Sequence, residues 1–503
     1  MTEIKPTILV KLAYSLGQAA QNGGFDAAIG FVFFYYSAVL GLSGALVGAA
    51  LAVSLAFDAV VDPLVGSWSD NMKSRFGRRL PLMMLAAPLI AVTVGLLFSP
   101  PAGLGQAALF GWLAFTSVAA RSAISLFNVP YIALGAEMST DYAERTRVVV
   151  YRAFAGIVAA VAITAIGYSV FFAHGGLQRP EGYPGFGWSV AGFLLVCMTL
   201  CCWGVGRYAA RLPQPEQVAG RIWERLPGEI AEIFRNPSFR LLFISAVVLF
   251  AATGLNASLN NHAFVFVWRM KSELIQFISY AYLVGILLGV TVAPMLQTRL
   301  EKKHVVVLGF SLLIANWLVI QGLMLAGVYL PLGGAAVLPM QINSFTAGIG
   351  TGLVSVAYPS MMADAADEHE YLYGRRREGL YFAGLGFAGK AATGLGVMLA
   401  GVALDLIRFP KAIGRTVGAV LPHEMQVRLV LIWGPVAAVF AVASLLILAA
   451  YRIDRARHKE IAMALGRAGA ETSALRGAST PAAGHARAIQ PQPESKRPAQ
   501  NHV

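Results

Sequence analysis

Charge is scarce in this chain. Asp, Glu, Lys and Arg make up 13% of its 503 residues, against roughly a quarter in soluble domains, while 57% are hydrophobic and the mean hydropathy is +0.63. That balance excludes a soluble globular domain and describes a polytopic membrane protein. Cysteine is scarcer still: Cys197, Cys201 and Cys202 fall inside one apolar segment, which excludes a disulfide framework and a spaced metal-ligand motif. No His-rich cluster, nucleophile elbow or Gly-rich phosphate loop occurs, so an enzyme is not indicated, and no cofactor either. His262 and His304 stand alone and are expected at the membrane interface rather than as ligands. The net charge of +13 does not indicate a nucleic-acid partner, because the basic residues are spread through short loops rather than gathered in one patch. The N-terminus, "MTEIKPTILVKLAYSLGQ", lacks a cleavage site behind a short apolar core, so the first helix is expected to remain in the mature protein.

What is present is a series of apolar runs, each of roughly 20 residues or more and thus long enough to span a bilayer as a helix. They are expected near 13–40, 44–69, 80–100, 105–135, 147–175, 186–206, 238–262, 275–297, 304–328, 332–362, 377–406 and 429–452. Basic loops alternate with basic-poor ones: Lys73 to Arg79, Arg145 with Arg147, Arg207 to Arg240, Arg299 to Lys303 and Arg375 to Arg377 fall on one side. Arg269, Lys271, Lys411 and Arg415 are exceptions on the other. The positive-inside rule then puts both termini in the cytoplasm. The expected organisation is an all-α membrane protein of two six-helix bundles, 1–206 and 238–452, joined by a cytoplasmic linker, 207–237. Residues 453–503 are too poor in apolar residues to fold and are expected to be a disordered tail.

Against this apolar background, ionisable residues inside a span are costly and draw attention to function. In "FDAVVDPLVGSWSDNMKSRFGRR", Asp58 and Asp62 lie one helical turn apart, well inside the second span. Two carboxylates so close resist joint ionisation unless a proton or a cation intervenes, which makes the pair a candidate cation site. The plain alternative is an interhelical ion pair. On the fourth span Arg121, Ser125 and Asn128 share a face, and the buried Arg121 needs an anion, either a carboxylate such as Asp26 or the substrate. Gln18, Asn22 and Asp26 make a stripe on the first span. Asn256, Asn260, Asn261, Gln341, Asn343 and Lys390 supply polar positions in the second half, as a central aqueous cavity requires.

These stretches, with "FNVPYIALGAEMSTDYAERTRVVVYR", "NNHAFVFVWRMKSE" and "ADAADEHEYLYGRRREG", resemble the glycoside-pentoside-hexuronide:cation symporter family of the major facilitator superfamily over essentially all of 8–452. The resemblance implies the major facilitator fold in a bacterial inner membrane and symport of a small solute with H+ or Na+, with no protein partner. It implies a coupling-cation site at Asp58 and Asp62 with Ser125 as oxygen ligand, and no other metal. Arg152 is implied near the inner gate, Lys390 near the cation site, and Asp364, Asp367 and Glu370 in cytoplasmic gating contacts. Asp70 with Arg75, Arg78 and Arg79 is expected to form charge pairs that lock that face, or simply to anchor the loop.

The departures from the family pattern concern the sugar. Asn22 and Asn128 fall where melibiose-transporting members carry sugar-binding aspartates, and Ile132 replaces a Trp that packs on the sugar ring. Val61 replaces an Asn frequent in sodium users, which removes one polar ligand near the pair and makes proton coupling a serious option. With Arg121 added, the substrate-binding set becomes Asn22, Asp26, Arg121, Asn128, Ile132, Arg152 and Lys390. The expected solute is a glycoside or an anionic sugar-like compound, with a lysophospholipid-like amphiphile as the alternative.

Overall fold

The computed structural model describes residues 6–72, 74–138, 141–211, 222–328, 331–375, 377–416 and 418–466. Lys73, Arg376, linker residues 212–221 and the tail from 467 lie outside the described residues. Every described element is helical, as the absence of water in a bilayer requires of a chain that must satisfy its backbone internally.

Six long helices precede the linker. Helix α1 (Ile8–Gln18) runs on through wide turns at Ala19–Asp26 and short helical pieces to Val39. It is followed by α2 (Gly44–Asn71), α3 (Leu80–Leu97), α4 (Gln106–Glu137), α5 (Tyr142–Ile166, extended by Gly167–Phe171) and α6 (Gly182–Ala209). The linker carries α7 (Ile222–Ile233). Six more follow: α8 (Pro237–His262, extended to Val267), α9 (Ser272–Arg299), α10 (Lys302–Leu325), α11 (Val337–Tyr373), α12 (Glu378–Leu406) and α13, which starts at His423 and ends at Ala449. Ten of these helices are long and apolar enough to cross a membrane. The α1 run and α11 complete the twelve expected spans.

Two expectations about boundaries change. Helix α11 continues to Tyr373 rather than ending near 362, because the polar segment after Met362 still buries Asp364, Ala365, Ala366 and His369 against its neighbours. The tail is not structureless from 453. Helix α14 (Arg455–Ala464) starts at Asp454, whose side chain accepts the amide of Arg457, and it buries Ile461 completely.

The halves of the chain meet along α2 against α12 and along α5 with its extension against α9. Close approach depends on glycine where α2 meets α12: a Cβ on Gly401 would lie 2.0 Å from the carbonyl oxygen of Gly44, so neither backbone could tolerate a larger residue there. At that same end Asp405 of α12 caps α2, accepting from the Ser43 hydroxyl and, at 2.9 Å each, from the amides of Gly44 and Ala45. First-turn amides of a helix have no partner of their own, so this cap joins the halves by backbone groups.

Other cross-half bonds cluster at the same end, opposite the basic loops. Ser37 meets His262 at 3.0 Å, Tyr168 donates to Asn261 at 2.8 Å, Gln276 donates to Ser169 at 2.7 Å, and Arg415 donates to the carbonyl of Val39 at 3.0 Å. Arg415, an exception to the loop-charge pattern, thus closes the seam. His262 is fully buried among Phe33, Phe34, Phe266 and Phe409; it is a seam residue and not interfacial as expected. Among the described residues, no hydrogen bond or ion pair joins the halves at the end carrying the basic loops.

Candidate functional site

Helix α2 brings Asp58 and Asp62 to the middle of the seam, where α12 faces them with Lys390. The Lys390 ammonium lies 2.9 Å from Asp58 Oδ2 and is bonded to Asp62. Asp58 also accepts from the Ser125 hydroxyl, and Arg121 Nη1 stands 4.0 Å from its Oδ2. The two carboxylates differ in access: the Asp58 side chain is 5% exposed, that of Asp62 31% and that of Lys390 34%. Pro63 follows Asp62 directly, and its missing N–H leaves the Ala59 carbonyl without a helical donor beside the pair.

Asp26 sits at the edge of the wide-turn segment of α1, accessible to water, and within Coulombic reach of Arg121, Asp58 and Lys390. The charges of this cluster do not cancel: three carboxylates, Asp26, Asp58 and Asp62, against two cations, Arg121 and Lys390, leave one net negative charge.

The expected substrate residues divide. Asn22 lines a cavity of about 380 Å³ between the halves; Asp26, Arg121, Asn128, Ile132, Arg152 and Lys390 do not. Arg121 is committed to Asp58 and to the face of Phe25, 6.0 Å away. Asn128 has a buried side-chain oxygen without a donor, and Ile132 is about half exposed. Arg152 donates to Gln18 Oε1 at 3.1 and 2.8 Å and lies over the Tyr131 ring at 5.2 Å, a brace within the first half.

The cavity wall comes mainly from α8 to α11 and α13. Its amides are held in fixed orientations by partners that permit only one assignment. Asn256 donates to the Trp433 carbonyl at 2.7 Å; Asn316 donates to the Asn343 carbonyl at 2.9 Å, and Asn343 to that of Asn316 at 3.1 Å. Each therefore leaves its Oδ1 as a free acceptor. Asn260 Oδ1 accepts from the Trp433 indole at 2.8 Å, which leaves its Nδ2 as a donor. On the other wall, Arg152 fixes Gln18, Gln18 donates to Asn22 Oδ1 at 2.8 Å, and Asn22 Nδ2 remains to donate. Among the described residues no Asp, Glu, Lys or Arg lines the cavity, and Trp317 and Trp433 supply apolar wall. Of these residues, Asn316, Trp317 and Trp433 escaped the sequence reading.

Among the described residues, the ion pairs found at the basic end are local to each half. Arg79 pairs with Asp70 at 2.5 Å and with Glu137 at 2.8 Å, and Arg78 with Glu137 at 2.5 Å, while Arg75 lies over the Phe76 ring. Asp364 pairs with Lys302 at 2.7 Å, and His458 of α14 lies 3.3 Å from Asp364 and 3.5 Å from Asp367. The backbone carbonyl of Glu370 accepts the amide of Gly374 at the end of α11.

Twelve spans in two sets, closed at one end around a polar cavity, define a transporter of the major facilitator type. The chain matches the MFS/sugar transport protein family over residues 13–455 and belongs to it. An isoprimeverose transporter of Lactiplantibacillus pentosus is 23% identical over 456 residues, 90% of each chain. A glucuronide carrier protein homolog of Escherichia coli (strain K12) is 24% identical, covering 84% of this chain and 91% of that one. The solved structure of a D-xylose-proton symporter shares the fold with a TM-score of 0.62 at 13% identity, over 89% of this chain and 98% of the other. Such relatives accord with the glycoside-pentoside-hexuronide:cation symporter family.

Proposed function

We propose that the protein couples entry of one monovalent cation, a proton or Na+, to symport of an uncharged, hydroxyl-rich solute of the sugar kind. The observation that carries the coupling is the charge cluster at the seam, whose three carboxylates and two cations leave a single negative charge for the ion to neutralise. An uncompensated charge resists enclosure in a sealed, low-dielectric cavity. Neutralisation therefore releases the bundles to rock about the seam.

Lys390 holds the place of the ion. Its ammonium reaches both Asp58 and Asp62, so the incoming cation competes with a side chain from the opposite half. Protonation of the more accessible Asp62, or Na+ entry between the carboxylates and Ser125, loosens that cross-half tie. With the basic loops in the cytoplasm, the described state is sealed outside and open inward.

The substrate class follows from the amides. Three Oδ1 acceptors favour hydroxyl donors, and a carboxylate or phosphate facing them meets lone pairs and no cation. This favours a neutral glycoside over a hexuronide, since Arg121 stands beside Asp58 and outside the cavity wall, and the polar wall does not favour an amphiphile.

The test is uptake into proteoliposomes driven by an imposed proton or Na+ gradient, with a labelled panel of neutral glycosides, hexuronides and lysolipids. Gradient-driven uptake of a neutral glycoside that is lost in Asp58→Asn is the expected result. Uptake that ignores both gradients and the substitution would sink the coupling proposal.

A further inference from the structure

We propose that the groove between α3 and α6 at the basic end is a seat for one anionic phospholipid, held by Arg75 and Arg207 at headgroup level with an acyl chain along Met84, Pro88 and Trp203. The proposal is independent of the transported solute.

The groove has a volume of about 480 Å³. Among the described residues its wall is apolar apart from Arg207 and Thr199, and no carboxylate lines it. Its length suits one leaflet. From Ala210 to Thr199 the α6 chain rises roughly 16 Å at 1.5 Å per residue, about half of a ~30 Å hydrocarbon core. Pro88 and Gly206, both in the wall, carry too little side chain to fill it. Trp203 projects from the wall with 81% of its surface exposed, and Phe76 is exposed at the loop end.

Charge selects the occupant. Of the basic residues around the loop after α2, Arg78 and Arg79 are consumed by Glu137 and Asp70. Arg75 and Arg207 make no ion pair among the described residues, and both border the groove: Arg207 is in its wall, and the Arg75 guanidinium lies 4.8 Å from the centroid of Phe76, which is also in the wall. Two unneutralised guanidinium groups above a leaflet-deep apolar slot fit a phosphodiester headgroup bearing acyl chains.

Native mass spectrometry of the full-length protein in detergent, titrated with phosphatidylglycerol and phosphatidylcholine of the same chains, tests this. Preferential retention of phosphatidylglycerol is expected. The preference should fall about fivefold for each arginine removed in R75Q/R207Q, given ~1 kcal/mol per basic residue at an anionic surface. It should survive R452Q, which removes an exposed charge elsewhere on the same side.

A second readout is independent of those variants. Phosphatidylglycerol with brominated chains should quench tryptophan fluorescence, and W203F should remove part of the quenching. Equal retention of the two lipids, an R452Q effect as large as that of R75Q/R207Q, or quenching untouched by W203F would each overturn the proposal. Displacement of the lipid by glycerol phosphate without chains would mean that the site reads phosphate alone and would overturn it too.

Discussion

The two halves of the molecule use different chemistry in the same interior. In the first half the polar groups near the seam are mainly ionisable, Asp26, Asp58, Asp62 and Arg121, with Asn22 and Thr164 reaching the cavity. In the second half they are amides and hydroxyls, Asn256, Asn260, Asn316, Asn343, Ser279 and Thr351, arranged around the cavity. Lys390 is the exception, a second-half cation whose partners are both first-half carboxylates. The division separates the group that responds to an ion from the group that recognises a solute, and it leaves one side chain to connect them.

The comparison breaks most sharply at that connection. Lys390→Gln leaves Asp58 and Asp62 without their nearest cation; removing one partner of a fully buried pair costs about 3–5 kcal/mol, and the partial exposure of Lys390 and Asp62 lowers that cost here. A large fall in thermal stability at neutral pH is expected, recovered in part by acid or by high Na+. An unchanged melting temperature would mean that water already satisfies the pair.

A smaller effect should come from the amide half. Asn316→Leu removes one free acceptor and the side-chain donor to the Asn343 carbonyl, while the Asn343 amide keeps the backbone carbonyl of residue 316; a net hydrogen bond is worth ~1 kcal/mol, more where a polar group is left unpaired. KM for a neutral glycoside should rise about tenfold with the ion dependence unchanged. A shift in the ion dependence instead would show that the two halves are not chemically separate.

The smallest effect is expected from Arg78→Gln. Arg79 still holds Glu137, and the pair joins elements of the first half alone. Partly exposed ion pairs contribute up to ~1 kcal/mol, so transport should change by less than fivefold with insertion intact. Loss of transport would support the gating role that the sequence suggested for this loop.

How much of this was legible depended on what stands out from an apolar background. Asp58 and Asp62 were readable because a carboxylate within a span is rare and two at one-turn spacing rarer. Their counter-ion was not readable by spacing, because Lys390 is 328 residues from Asp62; family resemblance alone pointed to it. Asn316 was missed because a single amide in a long apolar helix is cheap and carries no periodic signal. Trp317 and Trp433 were missed because aromatic residues in spans are ordinary core. The sealing of one end was also hidden, since its bonds run from Asp405, Arg415 and Gln276 at helix ends and loops, where polar residues attract no notice.

The cap that Asp405 places on α2 has a kinetic consequence. Helix-starting amides and a carboxylate are both served well by water, so when the halves part there, solvent takes over each bond as it breaks. The latch itself thus adds little to the cost of opening, which falls on the packed seam beside it and on whatever the cavity and the charge cluster hold. Turnover should therefore be sensitive to the ion and the solute and nearly indifferent to the latch.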